Sequence, residues 1–183
     1  IPVLQIPWSR YFFTVVIALP IMIFFFRKNL KWTDQPKLQL IRGVLLFSAN
    51  ILFFYSISLI SLSKALTLAF VAPLIVTILS PVLLGERVGI RRWIAVIIGF
   101  IGSLIVLRPG FVEINLASIA ALGTGILYGF YLIVTKKLHK SDHPLLTLLF
   151  TGVVGAIIGS LIMPFVWVQP TITEWYMMFA IGF

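Results

Sequence analysis

Long apolar runs alternate along this chain with short clusters of basic, proline and glycine residues, and the runs are too long for strands. They cover residues 7–26, 40–59, 65–84, 93–107, 116–135 and 144–168, and a seventh opens near Thr173 and is cut at Phe183. At 1.5 Å per residue, roughly 20 helical residues cross the roughly 30 Å of bilayer hydrocarbon. Most runs approach that length. The fourth is short, but Arg91, Arg92 and Arg108 flank it, and their long stems let the charges reach the headgroups. The pattern predicts an all-α polytopic membrane protein with six complete transmembrane helices and a truncated seventh. The first run lacks the short apolar stretch and small-residue cleavage site of a signal peptide. A start at Ile1-Pro2 and an end inside an apolar run predict a fragment of a longer protein.

Boundary residues support the segmentation. Asn115 and the Ser141-Asp142 pair are N-cap types, and Pro144 suits the first turn of the sixth helix. Thr171 and Glu174 have the spacing of a capping box before the seventh.

Composition agrees with lipid as the solvent. Apolar residues make up 61% of the 183 and charged residues 10%, with mean hydropathy +1.13. Soluble domains carry about 25% charged residues. The net charge of +9 does not point to nucleic acid, because the basic residues sit between apolar runs. The first, third and fifth connections hold Arg27, Lys28, Lys31, Lys37 and Arg42; Arg87, Arg91 and Arg92; and Lys136, Lys137 and Lys140. Only Arg10, Lys64 and Arg108 lie on the other side. Eleven against three, alternating at each crossing, predicts that these three connections are cytoplasmic and that the first helix runs inward.

Candidate chemistry is sparse. Cysteine is absent, which removes disulfides and thiolate metal sites, and no metal-ligand spacing, phosphate loop or Ser/His/Asp set appears. Asp34, Glu86, Glu113, Asp142 and Glu174 all fall at helix ends or in loops, and His139 and His143 fall in a basic loop. An intramembrane carboxylate, the usual sign of a proton relay, is not among them. No enzyme, cofactor or metal is expected.

Small residues recur at four-residue spacing: Ala95, Gly99 and Ser103 on the fourth helix, Ala117, Ala121, Gly125 and Gly129 on the fifth, and Gly152, Ala156 and Ser160, beside Gly155 and Gly159, on the sixth. Such stripes allow close backbone approach, for packing alone or for seams that move. Pro73 stands mid-way along the third helix, where it removes a donor and loosens the Ala69 carbonyl. That break serves either packing or a binding site. Asn50, Tyr55, Thr67, Thr77, Tyr128 and Tyr131 are the polar residues at depth. For Asn50, interhelical hydrogen bonding and solute contact account equally well; for the tyrosines, packing competes with solute contact.

Residues 56–110 resemble the drug/metabolite transporter superfamily, specifically the EamA family. The resemblance is carried by Ser63-Lys64-Ala65, Phe70-Val71-Ala72-Pro73-Leu74, Gly85-Glu86-Arg87-Val88, Arg91-Arg92-Trp93, Gly99-Phe100-Ile101-Gly102 and Leu107-Arg108-Pro109-Gly110, in that order. It implies a ten-helix transporter of two inverted five-helix repeats, with residues 1–110 holding most of the first and 111–183 the start of the second. It further implies alternating-access transport of small organic metabolites across the bacterial inner membrane, often export of amino-acid-like solutes. Glu86 and Arg87 match the family's cytoplasmic-end motif, and with Arg91 and Arg92 they are expected to form a structural charge cluster. Asn50, Tyr55, Thr67, Phe70, Pro73 and Tyr128 are the cavity candidates, suited to a neutral or zwitterionic solute with an apolar or aromatic surface. Lys64, near the outer mouth, either attracts an anion or anchors a turn.

Expected partners are the lipid bilayer and a small-molecule solute, with a homodimer as an open option. The rival classes are a structural or assembly subunit without transport and a membrane-embedded enzyme. The number of spans excludes a four-helix exporter.

Overall fold

A computed structural model describes residues 2–26, 33–107, 115–138 and 143–182. Every regular element among them is helical: α1 Gln5–Ile21 with a π-helical continuation Met22–Phe26, α2 Pro36–Leu59, α3 Leu62–Ala69, α4 Val71–Leu84, α5 Ile90–Leu107, α6 Leu116–Leu138, α7 Pro144–Val166 and α8 Ile172–Gly182. Five stretches among the described residues are long and apolar enough to cross a bilayer: Gln5–Phe24, Pro36–Leu59, Leu62–Leu84, Leu116–Leu138 and Pro144–Val166. Side chains such as Phe165, Val82, Ile90 and Leu161 are more than two-thirds exposed, the arrangement of a protein whose surroundings are lipid. The chain is a multi-pass membrane protein. Helices α5, of 18 residues, and α8, of 11, occupy the places of the fourth and seventh predicted crossings.

Four helices extend beyond their predicted limits into basic residues. Helix α2 starts at Pro36 and takes in Lys37; α3 starts at Leu62 and takes in Lys64; α5 starts at Ile90 and takes in Arg91 and Arg92; α6 continues through Lys136 and Lys137. Lys and Arg are good helix formers whose stems reach from an apolar segment to its polar edge. At the end of α6 they also face the negative pole of the helix. The expectations for Arg27, Lys28, Lys31, Arg108, His139 and Lys140 lie outside the described residues.

The caps follow local chemistry. Asn115 Oδ1 accepts from the Ser118 amide at 2.9 Å. Thr171 and Glu174 form the expected box: Thr171 N–H donates to Glu174 Oε2 at 2.7 Å, and Glu174 N–H donates to Thr171 Oγ at 3.4 Å. Those bonds hold the Glu174 carboxyl below its ordinary range. At α7 the cap is His143, whose Nδ1 accepts from the Leu145 amide at 3.3 Å, with Pro144 in the first turn. Ser141 and Asp142, the predicted caps, lie outside the described residues.

The chain divides into two compact units, one made of Ile1–Phe47 with Leu138–Phe183 and the other of Ser48–Lys137. In the first, α1 packs along α7 and α8. Glycines on α7 form notches for aromatic side chains of α1. A Cβ on Gly155 would lie 2.6 Å from Tyr11 Cδ1, one on Gly159 2.7 Å from Trp8 Cδ1, and one on Gly152 2.9 Å from Val15 Cγ2. Polar bonds cross the same unit. Trp8 Nε1 donates to Ser160 Oγ at 3.0 Å and Gln5 Nε2 to the Val168 carbonyl at 3.0 Å. Further aromatic contacts link Trp8 to Phe12 and Trp167, and Phe13 to Trp175 and Phe179.

Arg42 requires a correction. Counted by position as a residue of the first basic connection, it lies inside α2, 7% exposed. Its Nη1 donates to the Thr147 carbonyl at 2.9 Å and to the Thr151 hydroxyl, and Gln39 Nε2 donates to Thr147 Oγ1 at 3.3 Å. Arg42, already inside the predicted 40–59 helix, is turned to α7 rather than to a solvated loop.

Candidate solute-binding region

All six cavity candidates fall in the second unit, Ser48–Lys137. Its centre is α6. On one side α6 meets α2: Thr124 Oγ1 donates to the Ala49 carbonyl at 3.4 Å, Ser56 Oγ donates to the Ala117 carbonyl at 2.9 Å, and a Cβ on Gly123 would lie 3.0 Å from Leu52 Cδ1. The pairings run in opposite directions along the two helices, so α2 and α6 are antiparallel. On another side α6 meets the third predicted span, and that span is broken.

The break is at Phe70, between α3 and α4 (φ −62°, ψ −3°). The Phe70 amide is shared between the carbonyls of Leu66 at 3.0 Å and Thr67 at 3.2 Å, a tightened last turn. Restarting the helix at Val71 places Pro73 in a first turn, where a missing N–H leaves no internal bond unmade. The expected loosening of the Ala69 carbonyl is thus resolved one turn before the proline. That carbonyl lies against the fifth-helix stripe: a Cβ on Gly125 would be 2.6 Å from Ala69 O and 2.5 Å from Val71 Cγ1. One turn on, a Cβ on Gly129 would be 2.8 Å from Ile75 Cβ and 3.2 Å from Ala72 O. Glycine permits this contact because only a hydrogen separates the two backbones. The stripe expected on the fourth helix behaves differently. A Cβ on Gly99 or Gly102 would meet no other described atom within 4 Å, so no described residue covers α5 at these two positions.

The candidates occupy distinct places around this seam. Phe70 is the joint itself, its side chain 53% exposed. Pro73 is also exposed. Thr67 is buried, with its hydroxyl donating to the Ser63 carbonyl at 2.8 Å on its own helix. Successive helical residues are roughly 100° apart, so Tyr128 lies on the arc of α6 between Thr124, which faces α2, and Gly125, which faces the break. It is 41% exposed and stacks on Tyr131 at 5.4 Å. Tyr55 is half-buried and lies roughly 60° round α2 from Leu52. Asn50, also half-buried, lies roughly 160° from Leu52 and does not share the face of α2 turned to α6. The structure therefore brings Phe70, Pro73 and Tyr128 around the α6 seam and leaves Asn50 off it.

Glu86 of the expected charge cluster has a partner outside it. Glu86 follows Gly85, whose φ of +66° ends α4 in a left-handed turn that favours glycine. Its carboxylate accepts from Lys136 in the last turn of α6, tying the α4–α5 turn to that helix end. Arg87, Arg91 and Arg92 are exposed. Sequence reasoning assigned Glu86 to its basic neighbours and missed a partner 50 residues away; complementary charge was the only available signal. Lys64 is exposed near the start of α3.

The family model of EamA-like transporters matches residues 1–108. The chain belongs to the EamA-like transporter family. Among relatives of this EamA-like chain, the S-adenosylmethionine uptake transporter of Rickettsia bellii is 26% identical over 178 residues, covering 97% of this chain and 61% of that protein. The riboflavin transporter of Vibrio cholerae is 30% identical over 146 residues, covering 79% of this chain and 49% of that protein. The EamA-like chain thus spans about three-fifths of the length of the curated relatives that match it throughout. A solved crystal structure shares its fold over the whole chain and 66% of its own, with TM-score 0.76 at 17% identity. The family and these relatives are named for transport.

Proposed function

We propose that this chain is part of a secondary transporter that carries small organic solutes across the bacterial inner membrane by alternating access. The observation that carries the reading is the apolar span broken at Phe70, with freed backbone packed on Gly125 and Gly129. Irregular backbone at membrane depth is tolerated where protein or a water-lined cavity covers it, and transporters place solute sites at such breaks. In this reading α5 is also a complete crossing, the fourth of six, and α8 is the start of a seventh, within a ten-helix protein of two inverted repeats. Residues 1–110 are most of the first repeat and 111–183 the beginning of the second. The Glu86–Lys136 end of the second unit is cytoplasmic, in line with the charge count along the chain.

Phe70, Pro73 and Tyr128, with Thr67, Tyr55 and Asn50 nearby in sequence or on neighbouring helices, form the proposed solute contacts. The names of the relatives favour a solute with a flat heteroaromatic group beside a polar or charged part, which exposed Phe70 and Tyr128 suit by stacking. The uptake named for the Rickettsia relatives supports import over the export that amino-acid-like solutes suggested. The test is counterflow in proteoliposomes of the full-length protein against a panel of amino acids, nucleoside-like compounds and flavins. Saturable exchange of one class is expected. Failure with every class would favour a non-transporting membrane subunit.

A further inference from the structure

Three buried hydroxyls lie on the broken third span. Thr67 donates to the Ser63 carbonyl at 2.8 Å and Ser80 to the Val76 carbonyl at 2.6 Å, each four residues back on the same span. Thr77 differs. It is 0% exposed, and its Oγ1 has no hydrogen-bond partner among the described residues. The Pro73 carbonyl stands where Thr67 and Ser80 find theirs, yet the hydroxyl does not use it. Residue 81 is a proline inside α4 and has no N–H, so the Thr77 carbonyl also lacks its helical donor. Pro73, Thr77 and Pro81 recur at four-residue spacing along one stripe of α4. Thr77 thus brings an unmatched hydroxyl and a carbonyl without its helical donor into an otherwise apolar segment. A buried polar group left unmatched destabilises the state that buries it.

We propose that Thr77 is a solute contact, buried in this conformation and opened to an aqueous path when α4 pivots at the Phe70 joint. The proposal rests on the transport reading above. The joint and the seam beside it are suited to such motion: a helix break about two turns before Thr77, and a contact with α6 in which glycines meet the Ala69 and Ala72 carbonyls and the short branched side chains of Val71 and Ile75 rather than aromatic rings. The hydroxyl donates and accepts, and the adjacent carbonyl accepts. Together they fit a group that offers both a donor and an acceptor, such as an ammonium–carboxylate or amide end, better than a purely anionic one.

The experiment uses the full-length protein in membrane vesicles of both orientations, with any cysteine outside these residues replaced by serine. Thr77→Cys and Ser80→Cys are compared with a membrane-impermeant maleimide. Both positions are fully buried here, but only Thr77→Cys is expected to react, and transported solute should slow it. In counterflow, Thr77→Ser should keep the half-saturating concentration while Thr77→Val raises it roughly fivefold, the loss of about one net hydrogen bond. A Thr77→Cys that reacts no faster than Ser80→Cys overturns the proposal. So does a Thr77→Val protein with unchanged counterflow and a higher melting temperature, which would make the hydroxyl a packing defect. A wild type without counterflow, in which Thr77→Cys nevertheless reacts, overturns the transport reading and keeps the aqueous path.

Discussion

The two units are built from the same materials and joined internally in opposite ways. In the first, Tyr11 and Trp8 of α1 fill notches left by Gly155 and Gly159 of α7, and side-chain hydrogen bonds from Trp8, Gln5, Gln39 and Arg42 fix register at both ends. In the second, Gly125 and Gly129 of α6 meet carbonyls and the short side chains of Val71 and Ile75 on a broken span, and Thr67 and Ser80 turn their hydroxyls back on their own helices. Aromatic knobs in glycine notches are directional, because a ring seated in a notch must leave it before the helices slide. The seam on α6 has smaller teeth, Val71 and Ile75, and lies beside a helix break. Glycine therefore serves different purposes: as the socket for a ring in one unit, and as clearance for a broken span in the other.

Substitutions can break this contrast. Gly155→Ala should have the largest effect on stability, because the Tyr11 ring lies where the methyl would sit. A loss of about 3 kcal/mol, the upper end for overpacking, is expected in denaturation of the detergent-solubilised protein, with partial recovery on adding Tyr11→Ala. Arg42→Met should cost about 2 kcal/mol, the scale of buried hydrogen bonds to a charged group, and Arg42→Lys should recover only part. In the second unit, Gly125→Ala places a methyl against the Ala69 carbonyl. Its counterflow should fall roughly tenfold, with a smaller loss of stability than Gly155→Ala, since the span is already broken at Phe70 and can shift where a seated ring cannot. If Gly125→Ala destabilises more than Gly155→Ala while transporting normally, the contrast is wrong. The smallest effect is expected at the exposed Glu86–Lys136 pair. Reversing either charge should cost about 0.5 kcal/mol, and reversing both should restore it in a double-mutant cycle.

Much of this architecture was legible in the chain. Apolar runs located the helices because length and hydropathy are local properties, and Asn115 and the Thr171–Glu174 box marked helix starts because capping acts within one turn. Pro73 signalled the broken span, although not that the joint would fall at Phe70; where a helix best restarts depends on the surface opposite, here Gly125. Arg42 was misread because a charge count treats every cation near a loop alike. Its burial depends on Thr147 and Thr151, more than 100 residues downstream. The small-residue stripes were visible too, but a stripe does not tell what fills it. The one on α7 receives rings, the one on α6 receives carbonyls and short branched side chains, and Gly99 and Gly102 on α5 meet nothing among the described residues. Of the proposed site, Pro73 and Tyr128 were picked out by residue type and depth and Phe70 by the family-like stretch Phe70–Leu74, whereas Thr77 stands apart only once the hydroxyls beside it are seen to be bonded.

The Arg42 arrangement also constrains how the protein is made. As the chain emerges from the ribosome, α2 reaches the membrane long before α7 exists, so for that interval its guanidinium lacks the Thr147 carbonyl and the Thr151 hydroxyl. An arginine within a spanning segment is costly to insert and tends to stay at the headgroup level. The first turns of α2 should therefore remain shallow until α7 enters, and only then sink to their final depth. Biogenesis of this half of the molecule becomes a two-step event, completed by a helix that arrives about 100 residues late. A chain truncated before residue 144 should accordingly leave α2 poorly anchored and exposed to membrane quality control.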